Sequence, residues 1–377
     1  MTFLLVPLIV ALVAAPSARA DAWRDKQWYL DFLEADQVHK ITMGKDVTVA
    51  VVDSGVDANH PDLKGNLLKG ADIVGGDSGW RDADGHGTAM ASLIAGHGHG
   101  PRNRDGILGL APQAKILPIR GNIGTPAKEN PVENTIKALD RAVRSDAKVI
   151  SFSAKAGGTI IEVETALARD IVFVAAAGNR AQDVEVPQPA NYPGVVAVSG
   201  VDRNGNFTEA SIEGPEVVLA APAVAIAAAD AGSRGQYNTR TGTSAATALV
   251  SATAALIRAK YPDLSANGVI NRLIKTADDK GPPGRDPQYG FGIVNPLKAL
   301  TADIPDIGYN PLIGQSSATP SSPTASASTS GTAAGDQSGS ILMPVLVGLG
   351  AATVLLVAGG VYFVARRRRA SRNAHGQ

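Results

Sequence analysis

Residues 47–57 read VTVAVVDSGVD. Apart from Thr48, the run is apolar up to Asp53, and it is rich in β-branched valine. A strand with one wet face alternates apolar and polar residues. A continuous run of this length suits a strand covered on both faces, as in a parallel sheet. The run stops at Asp53, and Gly55 marks a turn just beyond it. Four further runs share this character: AKILPIR (114–120), AKVISFS (147–153), IVFVAAAG (171–178) and GVVAVSGV (194–201). Helical patterns fall between them at about 86–96, 130–145 and 160–169, and two more follow at about 244–260 and 265–277. Strands alternating with helices imply right-handed crossovers and an α/β fold, a doubly wound, mostly parallel sheet flanked by helices.

Sheets of this kind place ligand sites at the carboxyl ends of their strands. The residues there are Asp53 after the first run, Ser151 and Ser153 in the third, and Asn179 after the fourth. Two further stretches carry chemistry: DGHGTAMASLIAG (84–96) holds His86, and GTSAA (242–246) holds Ser244. Taken singly, each has a structural explanation. Asp53 suits a turn, His86 can open a helix, and Ser244 can cap an alanine-rich one. Together they supply an acid, a base and a hydroxyl in the order Asp, His, Ser, each beside glycines that permit close backbone approach.

VAVVDSGVDANHPDL, DADGHGTAMASLIAG, GLAPQAKILPIR, AAAGN, GTSAA and YGFGIVNPLKAL, distributed over about residues 30–300, resemble the subtilases, the subtilisin-like serine proteases. The resemblance implies Ser244 as nucleophile, His86 as general base, Asp53 as the group orienting the imidazole, and Asn179 as side-chain oxyanion donor. It implies a substrate-binding edge at Ser151, Ser153, Ala154 and Lys155. The residues themselves announce no metal site and no cofactor, and calcium sites are left open. Two departures stand out. Ala248 occupies the place, four residues after the nucleophile, where the family usually has proline. SFSAKAGG (151–158) replaces Ser-Leu-Gly-Gly, so Lys155 is expected to narrow or re-charge the cleft.

The ends of the chain set its address. Residues 1–20 form an apolar run closing on Ala18-Arg19-Ala20, a small-x-small pattern expected of a signal peptide, although no Lys or Arg precedes the run. Residues 341–365 carry no charge. As a helix they span about 37 Å, enough to cross a hydrocarbon core of roughly 30 Å. Arg366 to Arg369 follow, so residues 366–377 are expected in the cytoplasm and the peptidase domain, 21–308, outside. The Ser, Thr, Ala and Pro-rich stretch 309–340 reads as a linker. With only about 25 residues between position 20 and the first strand, no folded inhibitory pro-domain is expected.

This architecture resembles the mycosins, membrane-anchored subtilases associated with type VII secretion; many of those carry disulfides, and this chain has no cysteine. The resemblance implies protein or peptide substrates and a membrane secretion complex as partner. A surface subtilase outside that system and a catalytically silent scaffold are the competing readings. With 35 basic against 35 acidic residues, no basic field points to nucleic acid. His97 and His99 in GHGHG (96–100) have metal-like spacing but no evident acidic or Cys partner, and His39 and His60 read as loop or surface residues.

Overall fold

The computed structural model describes residues 22–82, 84–121, 131–232 and 237–313. Two short helices, α1 (Trp28–Phe32) and α2 (Ala35–Ile41), precede β1 (Thr48–Asp53) and β2 (Ala71–Asp72). After α3 (His86–Ala95) come β3 (His97–His99), β4 (Asp105–Leu108) and β5 (Lys115–Arg120). The chain continues through α4 (Pro131–Val143), β6 (Val149–Phe152), α5 (Ile160–Ala168), β7 (Val172–Ala176) and β8 (Val196–Val201). It finishes with β9 (Val217–Pro222), β10 (Ile226–Ala229), β11 (Tyr237–Arg240), α6 (Thr243–Lys260), α7 (Ala266–Thr276) and α8 (Pro296–Thr301).

Seven strands form the central sheet in the order β2-β5-β1-β6-β7-β8-β9, and every pairing in it is parallel. From β1 the chain builds β5 on one side and β6 on the other. The strand order therefore reverses at β1, and a crevice opens where the loops from its carboxyl end part to the two sides. Asp53 is the last residue of β1, in register with Arg120. The sheet's topology thus puts a carboxylate at its switch point.

The five expected strands and five expected helices are present to within about two residues. Helix α6 is buried along most of its length, which its sequence permits. Its alanines let it pack closely against β6, β7 and β8, and a helix hydrophobic or small all round belongs inside. Two of its buried hydroxyls are satisfied by the preceding turn: Thr247 donates to the Thr243 carbonyl at 2.8 Å and Thr253 to that of Leu249 at 2.9 Å, whereas Ser251 Oγ has no partner among the described residues.

Some expectations need correction. Within the stretch expected as linker, Asn310 is buried and its amide donates to the Gly194 carbonyl at 3.4 Å. His60 is 1% exposed, tucked edge-on against the Tyr237 ring, and His39 is half-buried with Nε2 2.9 Å from the Leu110 carbonyl. His99 has an acidic partner after all: Nδ1 lies 2.6 Å from Oδ1 of fully buried Asp62. The expected signal peptide 1–20, membrane helix 341–365 and tail 366–377 lie outside the described residues. Among those described, no helix is long and apolar enough to cross a membrane.

Candidate active site

Asp53 is 1% exposed and receives the Ser54 N–H on Oδ1 at 2.7 Å. Above it sits His86, the first residue of α3, with Nδ1 2.8 Å from Oδ1 and 2.9 Å from Oδ2. A nitrogen held between two carboxylate oxygens carries the proton, which leaves Nε2 with the lone pair. The approach depends on Gly87: a Cβ there would lie 2.0 Å from the Gly55 carbonyl oxygen, so only glycine lets α3 descend onto the loop after β1.

The start of α3 is held by a residue that sequence reading did not single out. Asp82 accepts from Ser54 Oγ (2.8 Å), from the N–H groups of Asp84 (3.0 Å) and Gly85 (2.9 Å), and from Thr88 through both its N–H (2.9 Å) and Oγ1 (2.6 Å). Ser54 Oγ in turn accepts the Gly87 N–H at 2.9 Å. First-turn donors of a helix need acceptors, and one carboxylate four residues upstream provides several. An acidic residue just ahead of a helix start was the available signal.

Burial acts to lower the His86 pKa, but the charge and hydrogen bond of Asp53 outweigh it, and the imidazole ends above its ordinary value of 6.5. The Arg240 charge acts downward and that of Asp84 upward. Both side chains line the cleft beside His86, and Arg240 is tied to Asp230 at 3.1 Å.

Ser244 is the second residue of α6, which Gly242 introduces at φ 148°, a backbone state that side chains disfavour. The Ser244 hydroxyl points to the Ser153 carbonyl at a long 3.4 Å, and no hydrogen bond joins it to His86 among the described residues. Both groups nonetheless line one cleft of about 640 Å³. Catalytic hydrogen bonds of this type tighten when substrate arrives. Ala248 lies one turn later in the unbroken helix, where its N–H can bond the Ser244 carbonyl. Proline at that position would remove this donor, so alanine extends the regular helix without supplying or removing a reacting group.

Asn179 lies across the cleft. Its Oδ1 accepts the Thr243 N–H at 3.0 Å and the Thr243 hydroxyl at 3.3 Å, which fixes the amide orientation. The Nδ2 group then has its donors to spare, as has the Ser244 N–H; neither has a partner among the described residues. Two unused donors beside a hydroxyl form a site for a developing oxyanion.

Ser153, Ala154 and Lys155 line the cleft, and Ser151 does not. Ser151 is 2% exposed inside β6, paired with Val51 and Val174, one residue short of the strand's carboxyl end at Phe152. Among the described residues no group of three or more His, Cys, Asp or Glu side chains could hold a metal ion.

The sequence model of the subtilase family, peptidase S8, matches residues 44–292. The chain belongs to the subtilase family. This subtilase is 33% identical over 353 residues to mycosin-1 of Mycobacterium tuberculosis, an alignment covering 78% of the chain and 77% of the relative. It is 32% identical over 281 residues to a thermostable alkaline protease of Halalkalibacterium halodurans, covering 72% and 73%. Among solved structures it resembles MycP1 from Mycobacterium smegmatis, with a TM-score of 0.66 at 28% identity, over 78% of this chain and 88% of that one. It also resembles the MycP3 protease from the type VII (ESX-3) secretion system, with a TM-score of 0.61 at 32% identity, covering 73% and 88%. This chain is therefore a subtilisin-like serine protease, similar to the mycosins.

Proposed function

We propose that this subtilase is a membrane-tethered, extracytoplasmic endopeptidase that acts beside a type VII secretion system, with Asp53, His86 and Ser244 as its catalytic triad. The observation that carries the triad is the two-point contact of the His86 imidazole with buried Asp53, on a cleft shared with Ser244 and the free donors at Asn179.

In the first step Ser244 Oγ attacks the scissile carbonyl while Nε2 of His86 takes its proton. The imidazolium is stabilised by the Asp53 carboxylate. Negative charge on the former carbonyl oxygen is met by Asn179 Nδ2 and the Ser244 N–H. Collapse of this intermediate passes the proton from His86 to the leaving amine and leaves an acyl-enzyme. Water, deprotonated by His86, then releases the acyl product. The similarity to mycosin-1 and the apolar stretch 341–365 support the placement at a membrane.

Treating the full-length chain with a fluorophosphonate probe tests the reading. Labelling should map to Ser244 and vanish in His86→Ala. Folded protein that takes no label would instead favour the silent scaffold. Recovery of the intact chain in the alkaline-washed membrane fraction checks the tether.

A further inference from the structure

The geometry points to Lys155 as a strap across the side-chain pocket on the acyl side of the scissile bond, restricting the residue attacked there to a small one, alanine or glycine. This rests on Ser244 being the nucleophile.

A carbonyl seated on Ser244 Oγ with its oxygen on Asn179 Nδ2 must turn its leaving nitrogen toward His86. The side chain of the residue carrying that carbonyl then lies on the opposite side. Two groups wall that side: residues 153–156, beside the Ser244 hydroxyl, and Gln182, beyond Asn179. Lys155 joins them. Its ammonium donates to Asp183 Oδ1 at 2.8 Å and to the Gln182 carbonyl at 3.1 Å, so its aliphatic stem bridges the gap.

The anchor is firm. Asp183 has a side chain only 9% exposed, and its second oxygen accepts the Asn179 N–H at 3.0 Å. The strap is thus fastened to the same carboxylate that positions the proposed oxyanion donor. The neighbouring backbone is close-packed: a Cβ built on Gly178 would lie 3.0 Å from both Asp183 Oδ2 and Pro187 Cδ, and Ala156, which lines the cleft, is buried. A side chain larger than methyl has to displace the lysine stem and break both of its contacts. Asp183 already neutralises the ammonium, so the strap narrows this pocket without recruiting an acidic residue.

The test uses the full-length chain and three peptidyl diphenyl phosphonates that differ only in carrying an alanine, phenylalanine or glutamate side chain next to phosphorus. Ser244 Oγ attacks phosphorus, its proton passes to His86, and one phenol leaves, so the inactivation rate reads the pocket directly. Each rate is normalised to the same protein's rate with a simple fluorophosphonate. In the natural sequence the alanine reagent should lead both others by about tenfold or more, the scale of discrimination set by side-chain fit. Lys155→Gly should raise the phenylalanine-to-alanine ratio about tenfold, and Lys155→Met, which keeps a stem but loses the anchor, should raise it less. A phenylalanine or glutamate reagent that matches alanine in the natural sequence overturns the strap. So does a ratio unmoved in both variants. Failure of the fluorophosphonate itself to label Ser244 would instead remove the nucleophile assignment on which the strap depends.

Discussion

Two helices, α3 and α6, each deliver a reacting side chain from the first turn, yet they are held in different ways. The start of α3 is fixed mainly by a neighbour in sequence: Asp82 accepts from Asp84, Gly85 and Thr88, and only Ser54 joins from the loop after β1. The start of α6 depends on Asn179, 64 residues away, whose Oδ1 receives the Thr243 N–H. The proposed base is therefore positioned by a mainly local clamp, whereas the proposed nucleophile is positioned by the group that also offers the proposed oxyanion donor. Damage to the first should cost stability before rate, and damage to the second should cost both together.

The largest effect comes from the reacting groups. Ser244→Ala or His86→Ala should lower kcat for peptide hydrolysis by about 10⁴–10⁶ with the fold intact, measured on the full-length chain. Activity surviving both changes would place the chemistry elsewhere.

Asn179 separates two roles at one residue. Asn179→Ala should cost about 10²–10³ in kcat and, through loss of the contact to the Thr243 N–H, about 1 kcal/mol of stability. Asn179→Asp keeps an oxygen for Thr243 and loses the donor. It should restore the stability in a urea titration while leaving the rate low. If Asp rescues both, Asn179 acts only as a cap.

Asp82→Ala strips the acceptor from several donors around α3. Denaturant unfolding should show a loss of about 1–3 kcal/mol, with kcat falling less than for Asn179→Ala. A rate loss larger than that of Asn179→Ala, at unchanged stability, would break the contrast between the two helix starts.

The smallest effects are in the pH profile. Only neutral His86 accepts a proton, so kcat/KM should fall as pH drops through its pKa. Burial lowers that pKa, the charge and hydrogen bond of Asp53 more than restore it, and the acid limb should centre above 6.5. Removing the upward push in Asp84→Asn should move the limb to lower pH, and removing the downward push in Arg240→Gln should move it higher. Equal limbs in all three proteins would show that neither charge reaches the imidazole.

The sequence carried the sheet and the residues of the proposed site because each is written in a short stretch. β1 is a continuous apolar run, and Asp53, His86, Asn179 and Ser244 each stand at the end of such a run or at the head of a helical pattern. β9 and β10 lie in EVVLAAPAVAIAAAD (216–230), a stretch in which no strand is read from the sequence, because alanine is depleted in strands. Ser151 and Ser153 looked equivalent in SFS, but only the latter clears the strand end; β6 buries the former between Val51 and Val174. His99 and Asp62 stand 37 residues apart, and nothing local announced their contact.

By itself, then, the chain determined which elements form and which side chains can do chemistry, since periodicity and short motifs are local properties. Tertiary structure decided which of those side chains meet. The reversal of strand order at β1 opened the crevice, glycine at 87 let His86 reach Asp53, and the carboxylate of Asp183 turned an exposed lysine into a bridge between the two walls of the cleft. Contacts of that kind join residues that no local pattern links, because they exist only once the separate segments have packed.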